Sequence, residues 1–292
     1  MDVRLLRAFI AVADCGGFGA AAQRILVTQS ALTKQIQALE AELGMPLFRR
    51  GRHGAELTYL GQVLLPGARD VVRRMDALSR YAAQVKRGES GRLSVGFGLS
   101  SIDLAPQTVA VFRRRYPDVS ISLEDMSSSA QVESVVRGDL DIGFVRLPAA
   151  PDLGQLPLRT DTLALAIPRE EHAPTDAQRI ARWLSGQPVV QLAPEKGPGL
   201  VSQIESFYRE FDSRPDIIEE THDLQTVLAL VAAGIGAALV PASASRIASP
   251  LIKIQPIETT GTTWTIGVVW DKERLTRVGE NFLRIVGQAA AA

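Results

Sequence analysis

The chain has 292 residues, 46% hydrophobic and 22% charged, with a mean hydropathy of +0.08 and a formal net charge of zero. That length suggests one large or two ordinary domains, and the composition excludes a disordered tail and a collagen-like repeat. A single cysteine, Cys15, excludes an internal disulfide framework, and His53, His172 and His222 lack metal-ligand spacing, so neither a metal nor a cofactor is expected.

The first predicted element is a helix carrying Leu5, Leu6, Phe9, Ile10 and Ala13 at i, i+3, i+4 spacing, stopped by Gly16 and Gly17. The apolar stretch Phe9 to Ala13 behind Arg4 and Arg7 imitates a signal peptide. It is five residues long, however, and Asp14 stands where a small residue belongs, so a cytoplasmic protein is expected. A short alanine-rich helix, about Ala20 to Leu26, comes next, then a turn and a second helix from Gln29. There Leu32, Ile36, Leu39 and Leu43 step by 4, 3 and 4 into one buried stripe. Gln29, Ser30, Thr33, Lys34 and Gln37 occupy the opposite face, short hydrogen-bonding side chains plus one cation, which suits base edges and phosphates in a major groove. An ordinary solvated helix face would look the same on this element alone. Gly44-Met45-Pro46 ends the helix, and Arg49-Arg50-Gly51-Arg52-His53-Gly54 reads as the basic tip of a two-stranded wing.

Charge supports the nucleic-acid reading. Residues 1–90 hold 13 Lys/Arg against 8 Asp/Glu, a net of +5, and the remainder holds 19 against 24, a net of −5. No Asp or Glu occurs from Cys15 to Leu39, as a surface approaching phosphates requires.

Ala21-Ala22, Gln29-Ser30-Ala31-Leu32-Thr33-Lys34-Gln35-Ile36, Leu39-Glu40, Leu43-Gly44, Leu47-Phe48-Arg49-Arg50 and Leu57-Thr58 with Gly61 resemble the DNA-binding domain of LysR-type transcriptional regulators. The resemblance implies that Gln29, Ser30, Thr33 and Lys34 contact bases or phosphates and that Arg50 and Arg52 lie in the wing. Thr33-Lys34 stands where the family more often has Ser-Arg. Lysine lacks the bidentate fork of arginine, so Lys34 suits phosphate anchoring better than guanine reading.

From Thr58 to Arg87 one long helix is predicted. Leu64, Ala68, Val71, Met75, Leu78, Ala82 and Val85 repeat 4, 3, 4, 3, 4, 3, a heptad seam that fits a helical dimer or packing on the chain's own body. Pro66 is expected to kink it. The resemblance implies a dimerising linker helix and a homotetramer assembled as a dimer of dimers, with RNA polymerase as a further partner if the protein activates.

Gly88-Glu89-Ser90-Gly91 reads as a hinge. Beyond it, strands at Leu93–Phe97, Val119–Glu124 and Asp141–Val145 alternate with helices at Thr108–Arg115 and Ala130–Arg137, the pattern of a parallel sheet. A strand at Thr162–Ile167 crosses to a second lobe holding strand Val189–Leu192, helices Leu200–Phe211 and Leu224–Ala233, and strand Ala237–Val240. Strand Trp264–Trp270 returns, and helix Asn281–Val286 closes the chain. The uncharged run Leu224 to Ser245, 22 residues, is broken by Gln225, Thr226, Gly234, Gly236 and Pro241, so it is helix, cap and strand, and no membrane partner is expected. The whole resembles the family's two-lobed effector domain, of periplasmic-binding-protein type. The expected fold class is therefore α/β: a winged helix-turn-helix at 1–57, a linker helix and hinge at 58–90, and an effector domain at 91–292. Its first lobe spans about 91–161 and 266–292, its second about 162–265.

Ligands of open α/β lobes sit beyond the carboxyl ends of the strands. Ser100 and Ser101 follow the first strand, Ser127-Ser128-Ser129 follow the second and open a helix, and Arg146 follows the third. Hydroxyls, helix N-termini and one arginine suit a carboxylate or similar anion, with the loop Pro194 to Gly199, including Pro198, closing from the second lobe. N-capping explains each serine singly, and a surface ion pair would explain Arg146. Asp125 to Gln131, Gly143 to Arg146 and Val231 to Ser243 look like regulators of benzoate, catechol and chlorocatechol degradation. That likeness implies that Ser128 and Arg146 hold a dicarboxylate such as a muconate. No G-x-S-x-G, P-loop or H-E-x-x-H motif points to an enzyme. The alternative is a solute-binding protein with a basic N-terminal adaptor.

Overall fold

A computed structural model describes residues 1–51, 54–259 and 261–290, which form two compact units, Met1–Gln84 and Val85–Ala292.

In the first unit, α1 (Val3–Cys15) starts where the Asp2 carboxylate accepts the Arg4 N–H, and it stops at Gly16, whose φ of 68° places it in the left-handed region. Helix α2 (Phe18–Arg24) leads through a turn into α3 (Gln29–Leu43), capped by the Thr28 hydroxyl. Strands β1 (Phe48–Gly51) and β2 (Gly54–Leu57) pair antiparallel as the predicted wing. Leu6, Phe9, Val12, Leu32, Ile36, Leu39 and Leu47 form the core. Phe48 seats the wing on it, its ring meeting Phe9 and Phe18 edge-on at 5.5 and 5.8 Å. The Glu40 carboxylate accepts the N–H groups of Leu47 and Phe48 at 2.7 and 3.2 Å, which ties the wing to α3.

Helix α4 (Tyr59–Arg87) runs through Pro66 without ending. The seam divides between the two packings it fits. Ala68 is buried, and Leu64, Leu65 and Val72 pack against the core of their own unit, because the start of α4 lies over the apolar surface of α1 to α3. Val71, Met75, Leu78 and Val85 remain 45% to 61% exposed.

The expected hinge is also shorter. Ser90 already pairs with Asp118 as the first residue of β3 (Ser90–Phe97), and Gly91 is inside the strand. Gly88, at φ 68°, approaches the backbone of Arg277 so closely that a Cβ there would lie 2.6 Å from its carbonyl.

The second unit continues with α5 (Leu104–Arg115), β4 (Asp118–Asp125), α6 (Ser128–Arg137), β5 (Ile142–Leu147) and β6 (Gly154–Pro168). After these come α7 (Ala177–Leu184), β7 (Pro188–Leu192), α8 (Pro198–Glu210), β8 (Asp216–Thr221), α9 (Leu224–Ala232), β9 (Ala238–Pro241), β10 (Ile252–Pro256), β11 (Thr263–Trp270) and α10 (Arg277–Ala290). The main sheet runs β10-β6-β11-β5-β3-β4, with β9 also on β6. β3 is parallel to β4 and β5, and β11 returns antiparallel between β5 and β6.

Strand β6 makes the lobes. Gly154–Thr162 pairs with β11, and Leu163–Pro168 pairs with β9 and β10. Only the second half was legible as a strand, since Leu163 to Ile167 is a continuous apolar run, fully buried, as a strand covered on both faces should be. The first half carries Pro157, Arg159 and Asp161 and hides the alternation. The first-lobe core centres on Leu93, Val95, Phe112, Phe144, Val268 and Phe282, and the second on the β6 run with Val190, Ile204, Phe207, Val231 and Val240.

Candidate functional site

On the first unit, the start of α3 presents the residues singled out from sequence. Gln29, Ser30, Lys34 and Gln37 are exposed and Thr33 is half-buried, opposite the buried Leu32, Ile36 and Leu39. The Thr33 hydroxyl donates to the Gln29 carbonyl at 2.8 Å, and the Thr28 and Ser30 hydroxyls meet at 3.1 Å. The first-turn N–H groups of α3 lack intrahelical acceptors and carry the positive end of the helix dipole, which suits phosphate. Arg50 sits in β1 opposite Ala55. Arg52 lies outside the described residues.

In the second unit the three predicted loops converge at the carboxyl ends of β3, β4 and β5. Ser127 caps α6, its hydroxyl accepting the Ala130 N–H at 3.3 Å, so the capping role falls to Ser127 and leaves Ser128 free of it. The Ser128 Oγ accepts the backbone N–H of Arg146 at 3.1 Å. Ser100 and Ser101 lie in a 3-10 turn, Leu99–Ser101. The Ser101 hydroxyl bridges both the N–H and the carbonyl of Gly98 at 3.1 Å and is spent inside its own turn. Ser100 instead accepts the indole N–H of Trp264 at 3.3 Å.

Arg146 reaches from β5 across to the second lobe. Its Nη1 donates to the carbonyl of Gly199 at 2.9 Å, in the first turn of α8, where Pro198 supplies no N–H. Its guanidinium carbon stands 3.7 Å from the centre of the Trp264 ring. Burial pulls the group down to about 10, partly opposed by the charge of Asp161, so it stays protonated at neutral pH. No carboxylate pairs with it among the described residues. Asp161 is engaged elsewhere, accepting the Ser243 N–H and hydroxyl at 3.2 and 2.7 Å and the Thr162 N–H at 3.0 Å. The surface ion pair weighed from sequence is therefore not what holds Arg146.

Sequence reasoning missed a second group. Asp103, at the start of α5, takes both Nη atoms of Arg159 at 2.6 and 2.9 Å and the Nε of Arg246 at 2.9 Å, while Arg159 also donates to the Ser100 carbonyl at 2.7 Å. Burial alone would raise the Asp103 carboxyl. The hydrogen bonds and charge of Arg159, with the charge of Arg246, overcome it and hold the group below its ordinary range. Neither these residues nor Trp264 had a motif, because strand pairing and the turns at the strand ends bring them together from distant parts of the chain.

A winged helix-turn-helix unit, a long helix with an exposed apolar stripe, and a two-lobed α/β unit with a cation at its strand ends that has no carboxylate partner among the described residues define a ligand-responsive DNA-binding protein. The description "Bacterial regulatory helix-turn-helix protein, lysR family" matches residues 3–62, and "LysR substrate binding domain" matches residues 86–291. The chain belongs to the LysR family of transcriptional regulators. It is 34% identical to the HTH-type transcriptional regulator AlsR of Bacillus subtilis (strain 168), over 85% of this chain and 82% of that protein. The uncharacterized HTH-type transcriptional regulator YnfL of Escherichia coli (strain K12) is 31% identical, over 93% of each. The crystal structure of CbnR, a LysR family transcriptional regulator, superposes with a TM-score of 0.83 at 30% identity, covering 98% of this chain and all of that one. Full-length CbnR complexed with its target DNA gives 0.81 at 29% identity, covering 99% of this chain and all of that one. Among the described residues no single helix is long and apolar enough to cross a membrane.

Proposed function

We propose that this regulator reads duplex DNA with residues 1–57, self-associates through 58–90, and senses a small anionic carboxylate with 91–292. In this reading Gln29, Ser30, Thr33 and Lys34 enter the groove while Arg50 and Arg52 reach the backbone from the wing. Leu64, Val71, Met75, Leu78 and Val85 belong to the self-association helix in a cytoplasmic dimer of dimers, and RNA polymerase is a partner if the protein activates. The effector is an aromatic acid or a muconate-like dicarboxylate, in keeping with the resemblance of the Asp125 to Gln131 and Gly143 to Arg146 segments to regulators of aromatic degradation.

The observation that carries the effector reading is the Arg146 guanidinium, half-buried at the strand ends and without a carboxylate partner among the described residues. Burying an unpaired charge is costly unless an opposite charge arrives. Ser100 and Ser128 each accept one hydrogen bond and so retain a hydroxyl proton to donate. The N–H groups of Ser128 and Ser129, without intrahelical acceptors, face the same task. Pro198 and Gly199 form the opposing wall, and Ser101 holds the turn that carries Ser100.

Arg146→Met keeps the bulk and removes the charge. Leaving a ligand carboxylate unpaired costs about 2–5 kcal/mol, so affinity for cis,cis-muconate or benzoate should fall at least about thirtyfold with duplex binding little changed. Calorimetry on Arg146→Met showing wild-type affinity would refute the site.

A further inference from the structure

Trp264 is the residue this site uses and no motif announces. It lies on β11, where Ile266 faces Arg146 across the β5 ladder, so Trp264 is two positions along and on the same side of the sheet as Arg146. Two contacts follow from that register. The indole face covers the guanidinium at 3.7 Å, and the indole N–H reaches Ser100 at 3.3 Å. Trp264 is itself only 8% exposed, so its ring cannot swing away without opening the second-lobe core.

We propose that Trp264 is a positioning residue of the effector site, setting the direction of the Ser100 hydroxyl proton and the plane of the Arg146 fork at once. An indole N–H only donates. By occupying an acceptor position on Ser100, it obliges that hydroxyl to turn its proton elsewhere, toward an anion at the strand ends. The stacked ring blocks one face of the guanidinium, and Gly199 takes one proton of Nη1. Four donors remain in the guanidinium plane, one on Nε, one on Nη1 and two on Nη2, and the Nε–Nη2 edge offers two of them side by side. A carboxylate entering bidentate must lie in that plane, which makes Trp264 a determinant of ligand orientation as well as a wall. The proposal rests on the anion reading above.

Calorimetry on the full chain with cis,cis-muconate and with benzoate, comparing wild type, W264F, S100A and the double variant, tests it. W264F retains a flat apolar ring and deletes the N–H. If Trp264 acts through Ser100, W264F weakens binding about three- to tenfold, and the double variant binds no more weakly than S100A alone. Wild-type affinity in W264F overturns the positioning role and leaves the anion site standing, and losses that multiply in the double variant overturn its action through Ser100. Wild-type protein that binds neither anion overturns both. Should W264F fail to fold, the indole N–H resonance of Trp264 gives the same answer with the tryptophan intact. It should move in S100A and on addition of either anion, and a resonance unmoved by both refutes the proposal.

Discussion

Lys34 and Gly61 act through opposite properties, one by reaching out and the other by leaving room. Lys34 is exposed near the start of α3 and engages no carboxylate among the described residues, as a phosphate contact requires. Lys34→Ala should flatten the slope of log affinity against log salt on random duplex DNA by about 0.9, one counterion released fewer. Adding Thr33→Ala should abolish preference for an operator selected from random duplexes, with the thermal midpoint nearly unchanged because Thr33 lies off the buried stripe. An unaltered preference would move sequence reading to another element. Gly61 sits in the first turn of α4, where a Cβ would stand 2.4 Å from the Leu47 carbonyl and 2.9 Å from a Leu57 methyl. Gly61→Ala should cost the head about 1–3 kcal/mol, measurable by denaturant unfolding, since packed backbone has little room to shift.

At the scale of elements, α4 carries the most unspent apolar surface. Val71, Met75, Leu78 and Val85 are all exposed and recur at heptad spacing, while Arg7 and Asp76 form an ion pair beside them within the same unit. An isolated 29-residue helix gains little from propensity alone, and an exposed apolar stripe of this length is stable in water when a second helix covers it. Met75→Lys with Leu78→Lys would put like charges into the proposed helix contact and should dissociate the proposed oligomer in sedimentation velocity. An unchanged sedimentation coefficient would show that association does not use this stripe. Leu64 and Ala68 are unsuited to the same test, since changing them damages the core of their own unit.

On the scale of the second unit as a whole, the lobes are held together by more than β6 and β11. Asp103, just before α5, and Arg159 on β6 belong to the first lobe, and Arg246 follows β9 in the second, so their ion cluster spans the two. Asp103→Asn should destabilise this unit by about 1–3 kcal/mol, below the cost of a fully buried pair because Arg159 and Arg246 are 23% and 55% exposed. The carboxyl is depressed in the fold below its ordinary 3.8, so its contribution is complete above that value and drains away as pH falls through the lower folded value. The stability gap between wild type and Asp103→Asn should therefore be constant from pH 5 to 8 and narrow below about pH 4 in urea titrations. A gap that persists undiminished at lower pH would mean the cluster acts by packing rather than charge.

The winged head, the long helix and much of the alternation of strands and helices beyond Gly88 are legible in the residue order, whereas α7, β8, β10 and the first half of β6 are not. The legible features are written locally, in apolar periods, glycine stops and turn residues whose physics acts over one or two turns of chain. The α3 stripe Leu32-Ile36-Leu39, the Gly16 cap and the buried run Leu163 to Ile167 could each be read without a neighbour. The convergence of Ser100, Ser128 and Arg146 followed from the rule that α/β ligands gather at strand ends. Where each side chain finds its partners is fixed only by the folded chain. Whether Leu64 meets its own core or another helix depends on what α1 to α3 leave uncovered. Whether Ser101 is free depends on Gly98 and the geometry of one turn. Trp264 stands over Arg146 because β11, more than a hundred residues later in the chain, slots in beside β5 in one particular register. Cross-strand register is set by the packing of the whole sheet, so no local pattern around Trp264 or Arg159 could announce it.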